Sequence, residues 1–313
     1  MTKQPDISAV VCTRNRGASV VATIQSILAS THPNFELVLV DQSTNRETEE
    51  AIAEFRTDPR LKYLPSATKG LGRARNIGMK QARGEVVAFT DDDCTVPTNW
   101  LEVMQATFRH NPRVTVAFCN VEVAPHDTTT GFIPGYVRSE SKLVRNFWDK
   151  CKARGIGAGI AVRREQILAL GGFDEELGAG GLFPSCEDGD MAVRALSRGQ
   201  WVYETHEVAV LHYGFRTWEE GKELTKRDWV GIGAAYVKPL KAGTWGVLPV
   251  VLYESLRYCV FEPFAPLLRL RRPRGFSRLI YLIQGMLLGL KQPIDRAHLV
   301  YLASAPTRRT AEA

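Results

Sequence analysis

The sequence predicts an α/β fold in which helices pack on a mostly parallel β-sheet. Short apolar runs alternate along the chain with stretches whose apolar residues recur at helical spacing, as expected for strands joined by helical crossovers. Several of the apolar runs end in polar or acidic residues, and ligands of parallel sheets bind beyond such strand ends. The 44% hydrophobic and 24% charged residues are typical of a globular protein.

Predicted strands and helices alternate over the first part of the chain. Ile7 to Cys12 is mostly apolar and predicts a strand, which the polar segment 13–17 ends. The apolar spacing over residues 20–28 predicts a helix, and Phe35 to Val40 predicts a second strand that ends at Asp41. An acidic helix over residues 47–55 and a short strand over residues 61–64 follow.

The most informative stretch is an apolar strand, Val86 to Phe89, that leads into Asp91, Asp92 and Asp93. Three adjacent carboxylates repel one another, and burying them is costly unless a cation neutralises them. A divalent metal held by hard oxygen ligands satisfies this requirement. The alternative is a solvated acidic turn. A helix is predicted after the turn, from Trp100 to His110.

A basic, glycine-containing segment, residues 69–78, precedes a helix that is predicted to extend to about Arg83. Such a helix start offers backbone N–H groups and guanidinium groups to an anion. The segment is not a P-loop, because the GxxxxGK[ST] pattern is absent. A solvated basic helix face is the alternative.

The second half begins with a predicted strand from Val114 to Val123, followed by an irregular segment over residues 124–149. Three glycines at 155, 157 and 159 allow close approach to the backbone, or a tight structural turn. A helix is predicted from residue 163 to Leu170. A last apolar run, Val208 to Leu211, ends at His212, which could be a metal ligand or a structural residue.

Glu187, Asp188 and Asp190 lie at the start of a predicted helix that extends from Asp190 to Ser197. Carboxylates at a helix N-terminus cap it and complement its dipole. Capping accounts for one of the three, and Asp190 fits that role best. Capping does not explain the adjacent pair Glu187 and Asp188. For this pair a catalytic role is the alternative to capping.

The order of these sequence segments resembles that of the family 2 glycosyltransferases, which are inverting enzymes with the GT-A fold. The resemblance covers roughly residues 7–215. It implies a Rossmann-like, mostly parallel sheet flanked by helices, and a nucleotide-sugar donor. The segments that carry it are Thr13-Arg14-Asn15-Arg16, Asp41, Arg75-Asn76, Asp91-Asp92-Asp93, Gly172-Phe173-Asp174-Glu175 and Glu187-Asp188.

The resemblance also implies a metal site. Asp91 and Asp93 look like the DxD pair, which holds Mg²⁺ or Mn²⁺ against the diphosphate of the donor. The middle residue of this motif varies in the family, so Asp92 is not required as a ligand. His212 is similar in placement to a histidine that completes the metal site in some members.

The remaining site residues follow from the same resemblance. Asp41 resembles the residue that hydrogen-bonds the nucleobase, with Thr13 and Arg16 near it and Arg75 on the base or diphosphate side. Asp188 resembles the general base, and Glu187 the residue that orients the acceptor. This fits the chemistry, because an inverting transfer needs a base for the acceptor hydroxyl and a cation for the departing diphosphate.

The charge of the chain is unevenly distributed. Residues 1–237 hold 28 Lys and Arg against 30 Asp and Glu, whereas residues 238–313 hold 12 against 4. We therefore expect a catalytic domain over residues 1–237 that does not bind nucleic acid, and a basic, apolar helical extension over residues 238–313.

The extension contains two uncharged segments, Ala242 to Tyr253 and Leu279 to Leu290, which are shorter than a spanning helix. Between them lies a cluster of arginines at 269, 271, 272, 274 and 278. Apolar segments interleaved with arginine indicate amphipathic helices on an anionic membrane surface. A helical subdomain that packs on the core is the alternative.

The sequence thus predicts a metal-dependent, inverting transferase that acts on a glycan, a lipid-linked saccharide or another cell-envelope or exopolysaccharide precursor. A sugar nucleotidyltransferase and a non-catalytic binding protein of the same fold are the alternatives. The six cysteines are scattered without a CxxC pair and the N-terminus is polar, so we expect a cytoplasmic protein. The basic extension adds the expectation of a peripheral position on the inner face of the membrane.

Overall fold

The computed structural model describes residues 4–265 and 275–303. In these residues a nine-stranded sheet has the order β3-β2-β1-β4-β9-β6-β10-β5, with β8 paired to β10. The strands are β1 (Ile7–Thr13), β2 (Phe35–Asp41), β3 (Leu61–Pro65), β4 (Val86–Asp91), β5 (Cys94–Thr95), β6 (Val114–Val123), β7 (Gly131–Phe132), β8 (Lys142–Val144), β9 (Ile160–Arg163), β10 (Trp201–His212), β11 (Arg216–Thr217), β12 (Ile294–Asp295) and β13 (Val300–Tyr301).

Helices cover the sheet and form most of the C-terminal part. They are α1 (Val20–Leu28), α2 (Glu47–Ala51), α3 (Leu71–Gln81), α4 (Trp100–His110), α5 (Phe147–Lys150), α6 (Arg164–Ala169), α7 (Glu187–Ser197), α8 (Trp218–Lys241), α9 (Leu248–Glu254), α10 (Glu262–Phe264) and α11 (Ser277–Lys291). A π-helical stretch, Ser255–Phe261, joins α9 to α10.

The strand directions place several polar strand ends at one edge of the sheet. Strands β1 to β4 are mutually parallel. β9 runs antiparallel to both β4 and β6, so β6 and β10 again run in the direction of β4. The last residues of β1, β2, β4 and β10 are Thr13, Asp41, Asp91 and His212. The predicted site residues at strand ends therefore lie along the same edge.

The sheet is buried on both faces, which explains the continuous apolar runs of its central strands. Along β4, Val86 and Ala88 belong to the apolar cluster on one face, and Val87 and Phe89 belong to the cluster on the other. The prediction of an α/β fold with a mostly parallel sheet is confirmed.

Four predicted segments differ from the structure. The acidic helix ends at Ala51, and a separate 3-10 turn covers Ala53–Thr57. β10 begins at Trp201 rather than at Val208, because its first half alternates buried and exposed residues instead of forming an apolar run. α7 begins at Glu187, so the two carboxylates predicted to precede the helix belong to its first turn. The irregular segment 124–149 also contains β7, β8 and the start of α5.

The C-terminal part packs on the core through α8, a helix of 24 residues. Gly285 of α11 leaves no room for a Cβ against the carbonyl oxygen of Val230, and Gly233 of α8 does the same against Leu282. Backbones that approach this closely give α11 a fixed position on α8. The predicted boundary at residues 237/238 falls inside α8, and the division into two domains remains a proposal.

A network of four buried charges ties these parts together. Lys238 of α8 pairs with Asp174 and, at 2.7 Å, with Asp190 of α7. Arg194 donates to Asp190 at 2.8 Å, and the backbone N–H of Tyr301 donates to Asp174 at 2.9 Å. The four charged side chains are at most 1% exposed. Because two cations face two anions, each buried charge has an opposite partner.

We predict that Lys238→Met lowers the free energy of unfolding by about 3–5 kcal/mol, because it leaves two carboxylates buried without their shared cation. Chemical denaturation of the full chain measures this. Lys226→Met is the matched control, since Lys226 is exposed on the same helix, and its effect should stay within about 0.5 kcal/mol. An equally small effect of Lys238→Met would contradict a structural role of the network.

Candidate active site

A cleft of about 620 Å³ lies along the edge of the sheet where the polar strand ends meet. It brings together residues from strand ends, from the start of α3 and from the first turn of α7. Among its lining residues are Thr13, Arg16, Gln42, Lys69, Gly70, Arg75, Asp91, Asp92, Asp93, Gly157, Glu187, Asp188, His212 and Arg216. Of the sequence-predicted site residues, all except Asp41 line this cleft.

The turn between β4 and β5 carries Asp93 to His212. β5 pairs antiparallel with the end of β10, with Cys94 opposite His212. As a result, Oδ1 of Asp93 lies 3.4 Å from Nε2 of His212. Burial would raise the pKa of Asp93, but the hydrogen bond from His212 and the charge of Arg16 hold the pKa of this carboxyl below its ordinary value.

The side chain of Asp92 is buried and is held by contacts within the protein. Its Oδ2 accepts a hydrogen bond of 2.7 Å from Thr13, and Arg16 approaches its other oxygen at 3.5 Å. Burial raises the pKa of Asp92 to about 6, although Thr13 and Arg16 oppose the shift. The contacts of Asp92 thus connect the end of β1 to the turn, in agreement with the expectation that it need not be a ligand.

Arg75 joins the acidic turn to α7. Its guanidinium donates to Asp91 at 3.1 Å and to Glu187 at 3.0 Å, and its side chain is only 3% exposed. Phe173 and Phe89 lie under the guanidinium at 5.4 and 6.0 Å from their ring centroids. Burial raises the pKa of Glu187 to about 7, even though the charge of Arg75 opposes this shift.

Asp188 is held by two backbone N–H groups. Gly157 donates to its Oδ2 at 2.6 Å, and Gly189 donates to its Oδ1 at 2.6 Å. A side chain at Gly157 would approach the guanidinium of Arg75 at 3.0 Å and Asp188 at 3.1 Å. Glycine at this position therefore keeps the space beside both groups open to the cleft.

The structure places Asp41 beside the cleft and not in its wall. Its two oxygens accept hydrogen bonds from Tyr63, at 2.9 Å, and from the backbone of Ser43, at 2.8 Å. Gln42, the next residue, lines the cleft instead. The predicted contact of Asp41 with a nucleobase remains a proposal that the structure does not test.

Asp93 and His212 fit a divalent metal. Nδ1 of His212 lies 2.8 Å from the carbonyl oxygen of Pro134 and donates to it. Nε2, which faces Asp93 and donates to it in this structure, would offer its lone pair to a metal after losing its proton. A side chain at Gly214 would meet Nε2 of His212 at 2.5 Å and Asp93 at 2.9 Å, so this glycine keeps the space open.

Among the described acidic, histidine and cysteine side chains, Asp93, Cys94 and His212 offer ligand atoms within 4.8 Å of one another. Cys94 is a poor ligand, because burial raises the pKa of its thiol well above the ordinary value and the thiolate is the ligand form. Asp91 lies outside this group and contacts Arg75. Its role as a metal ligand therefore remains a prediction.

Several residues of the cleft were not predicted from sequence. Gln42 and Arg216 line it, as do Ser185 and Cys186 before α7. Lys69 and Gly70 also line it, and they belong to the basic segment 69–78 for which the sequence predicts anion binding. For Arg216 a charged residue shortly after a polar strand end was the only signal. Fold and site together define an α/β protein in which acidic and basic groups face one cleft at the ends of the strands.

The chain belongs to a known family. The model of glycosyl transferase family 2 matches residues 8–169, which is more than half of the chain. A glucosyl-dolichyl phosphate glucuronosyltransferase of Haloferax volcanii is 28% identical over 192 residues, which cover 56% of this chain and 58% of that protein. The UDP-Glc:α-D-GlcNAc-diphosphoundecaprenol β-1,3-glucosyltransferase WfgD of Escherichia coli is 30% identical over 142 residues, which cover 45% of this chain and 55% of that protein.

Solved structures show the same fold. TarS of S. aureus in complex with UDP-GlcNAc superposes with a TM-score of 0.63 at 18% identity, over 90% of this chain and 81% of that chain. The mannosyltransferase PcManGT of Pyrobaculum calidifontis, in complex with GDP-Man and Mn²⁺, gives 0.61 at 20% identity, over 93% and 88%. The predicted GT-A fold is thus confirmed. The chain spans little more than half of the two curated relatives described above.

We predict that Glu187→Gln changes the pH dependence of stability. The pKa of Glu187 is raised by burial to about 7. The stability that this acid contributes is therefore complete below its ordinary pKa and is lost as pH rises towards 7. Glutamine cannot lose a proton, so the variant does not show this loss. The free energy of unfolding of the variant minus that of the wild type should therefore increase by about 3 kcal/mol between pH 5 and pH 8. Denaturant titrations in EDTA measure this. A constant difference would indicate that Arg75 keeps the carboxylate ionised.

Proposed function

We propose that the protein transfers a sugar, with inversion, from a nucleotide-sugar donor to a hydroxyl group of a saccharide acceptor. The observation that carries this proposal is that Asp188 and the acidic turn line one cleft, in which Arg75 joins the turn to Glu187, the neighbour of Asp188. A base for the acceptor and a site for the donor diphosphate then lie on opposite sides of one reacting centre. Family membership and the fold support a transferase over the two alternatives.

The donor diphosphate fits the side of the cleft where Asp93, His212, Arg16 and Arg216 meet. Mg²⁺ or Mn²⁺ held by Asp93 and His212, with Asp91 as a further candidate, would neutralise the charge that develops on the leaving diphosphate. Thr13 and Arg16 fix the position of the acidic turn through Asp92. The backbone before α3, at Lys69 and Gly70, offers positive charge to the same anion.

Asp188 takes the role of the base. Hydrogen bonds from the backbone N–H groups of Gly157 and Gly189 fix its carboxylate in the first turn of α7. Arg75 binds Glu187 next to it and leaves Asp188 open to the cleft. A hydroxyl within hydrogen-bond distance of Asp188 would lose its proton to this carboxylate as it attacks the anomeric carbon.

Two variants should separate donor binding from transfer. With a panel of nucleotide-sugars and Mn²⁺, one donor should raise the melting temperature of the wild type. Asp93→Ala should abolish this shift, because it removes a metal ligand. Asp188→Asn should keep the shift, but its release of nucleoside diphosphate should fall by about 10²–10⁴-fold, the usual effect of losing a general base.

Asp58→Asn is the control for these variants, since Asp58 precedes β3 and pairs with Arg60 at 2.7 Å. It should change neither donor binding nor turnover. A full rate in Asp188→Asn would remove this residue from the mechanism. If Glu187→Gln lost the rate instead, the base would be Glu187. Absence of any donor-dependent shift in the wild type would refute the proposed function.

We also propose that the acceptor is lipid-linked and that the protein binds an anionic membrane surface peripherally. Within the described residues, none of the helices combines the length and apolar character needed to cross a bilayer. The C-terminal helices instead expose large apolar side chains on the face turned away from the core: Leu252, Leu256, Phe261, Phe264, Phe276, Ile280, Ile283, Leu287 and Leu290. Arg269, Arg271, Arg272 and Arg274 lie outside the described residues, and Arg278 pairs with Glu262 at 3.0 Å.

We expect the full chain to sediment with vesicles that contain phosphatidylglycerol, and salt to weaken this binding. Leu252→Ser/Leu256→Ser should reduce the bound fraction several-fold, since less apolar surface enters the interface. Leu182→Ser is the control, because Leu182 is equally exposed but lies before α7. Substitutions are preferable to truncation at Lys238, which would remove a buried cation. Unchanged binding of the double variant would refute the membrane proposal.

A further inference from the structure

A second pocket, of about 420 Å³, adjoins the catalytic cleft. The two cavities share part of their walls, including Ile156, Ser185, Cys186 and Asp188. The outer wall of the second pocket comes from the end of α5, from α8 and from Glu254 at the end of α9. A molecule bound there could present a hydroxyl to Asp188 while its remainder extends towards the C-terminal helices.

One wall of this pocket carries two cations, Lys150 and Arg154. Lys150 is 5% exposed, and its Nζ donates to the carbonyl oxygen of Ala153 at 2.9 Å. Arg154 is exposed, and its guanidinium lies 4.6 Å from the ring centroid of Tyr258. Among the described residues, no carboxylate forms an ion pair with either cation. A buried ammonium with one protein acceptor retains two donors for a ligand.

A second guanidinium lies against the same aromatic ring. Arg257 is 5.5 Å from the ring centroid of Tyr258 and 6.0 Å from that of Tyr253. It, too, forms no ion pair with a carboxylate in the part of the chain that the structure describes. Arg154 and Arg257 can therefore be no farther apart than the sum of their distances to Tyr258. Within this limit, two planar guanidinium groups can each contact an oxygen of one diphosphate.

The segment that carries Arg257 also borders the apolar surface. Leu252, Leu256 and Phe261 are exposed along the same continuous stretch of α9 and the π-helix. Three environments thus follow one another: the base Asp188, a pair of guanidinium groups, and an apolar face. A sugar joined through phosphate to a long hydrocarbon chain presents a hydroxyl, an anion and a lipid in that order.

The acidic residues of the second pocket are compatible with this arrangement. Asp228 accepts a hydrogen bond of 2.7 Å from Ser185, beside the catalytic cleft. Glu254 lies near the hydroxyl of Tyr236, which is buried. Carboxylates of this kind can accept hydrogen bonds from sugar hydroxyls. The phosphate has Arg154, which lines the pocket, and Arg257, which lies against the same tyrosine ring.

We propose that Arg154 and Arg257 form an anion site for the phosphate or diphosphate that joins the sugar of a lipid-linked acceptor to its hydrocarbon chain. This inference rests on the proposed function, because it assigns the second pocket to the acceptor. The site fixes the distance between the membrane anchor and the hydroxyl at Asp188. Bilayer phospholipids offer similar phosphate chemistry, so the test must distinguish the two sources.

The probe is a phosphatidylcholine vesicle that contains a small fraction of polyprenyl diphosphate. The comparison is a phosphatidylcholine vesicle with phosphatidylglycerol at the same total charge. The wild type should prefer the diphosphate vesicles. Arg154→Gln and Arg257→Gln should each weaken that binding about tenfold or more, the effect of losing a charge-assisted hydrogen bond, and should leave phosphatidylglycerol binding within about twofold. Arg154→Lys, which keeps the charge but loses the planar fork, should be intermediate.

Arg113→Gln is the matched control, because Arg113 is an exposed arginine stacked 4.1 Å from the ring centroid of Trp201, at the opposite edge of the sheet. It should leave the diphosphate preference intact. Equal loss on both vesicle types would assign the arginines to the bilayer surface and overturn the inference, as would an unchanged preference in both variants. Donor-dependent thermal stabilisation with Mn²⁺ is measured in parallel. If it persists while the arginines prove irrelevant, only this inference fails; if it is absent in the wild type, the proposed function fails.

Discussion

The buried charge network around Lys238 is the constraint on which the geometry of the site depends. Asp190, its central carboxylate, lies in the first turn of α7, two residues after Asp188. Lys238 and Arg194 hold Asp190 from two sides, and Arg194 also donates to the carbonyl oxygen of Leu170 at 2.8 Å. Because the Coulombic gain of buried pairs is largely offset by desolvation, such a network specifies position more than it adds stability. It therefore fixes the register of α7, and with it the carboxylate that faces the cleft.

Much of the fold could be predicted from the sequence, because the central strands are buried on both faces and read as continuous apolar runs. β6 and α4 have the predicted bounds. The failures occur where tertiary contacts override the local pattern. β10 begins at Trp201, seven residues before the predicted start, because polar residues interrupt the apolar pattern of its first half. The division at residues 237/238 remains a proposal; Lys238, which in the sequence looks like the start of a basic extension, lies inside α8 and pairs there with two buried carboxylates.

For the site, too, the sequence indicates the candidate residues, but only the structure reveals which of them contact one another. Strand ends identify Asp93 and His212 as candidates, since parallel strands deliver their last residues to one edge. The sequence does not reveal that Asp91 faces Arg75 while Asp93 faces His212. Nor does it reveal that Arg75 contacts Glu187, which is 112 residues away in the chain. These choices depend on χ angles and on packing across elements, for which periodicity carries no information.

The sequence leaves two hypotheses open for the C-terminal part: a subdomain that packs on the core, and helices that bind a membrane surface. Each corresponds to one face of this part. Its inner face packs on the core: Gly285 and Gly233 allow close helix contact, and Tyr301 closes the charge network through Asp174. Its outer face exposes many large apolar side chains. Single exposed apolar residues are common on protein surfaces, but a group of this size indicates a binding surface. A segment that fixes α7 on one side and presents apolar surface on the other links the position of Asp188 to any surface that the outer face binds. If the outer face binds a membrane as proposed, rigid packing sets the distance from that surface to Asp188. The proposed acceptors are then those whose anchor and hydroxyl match this distance.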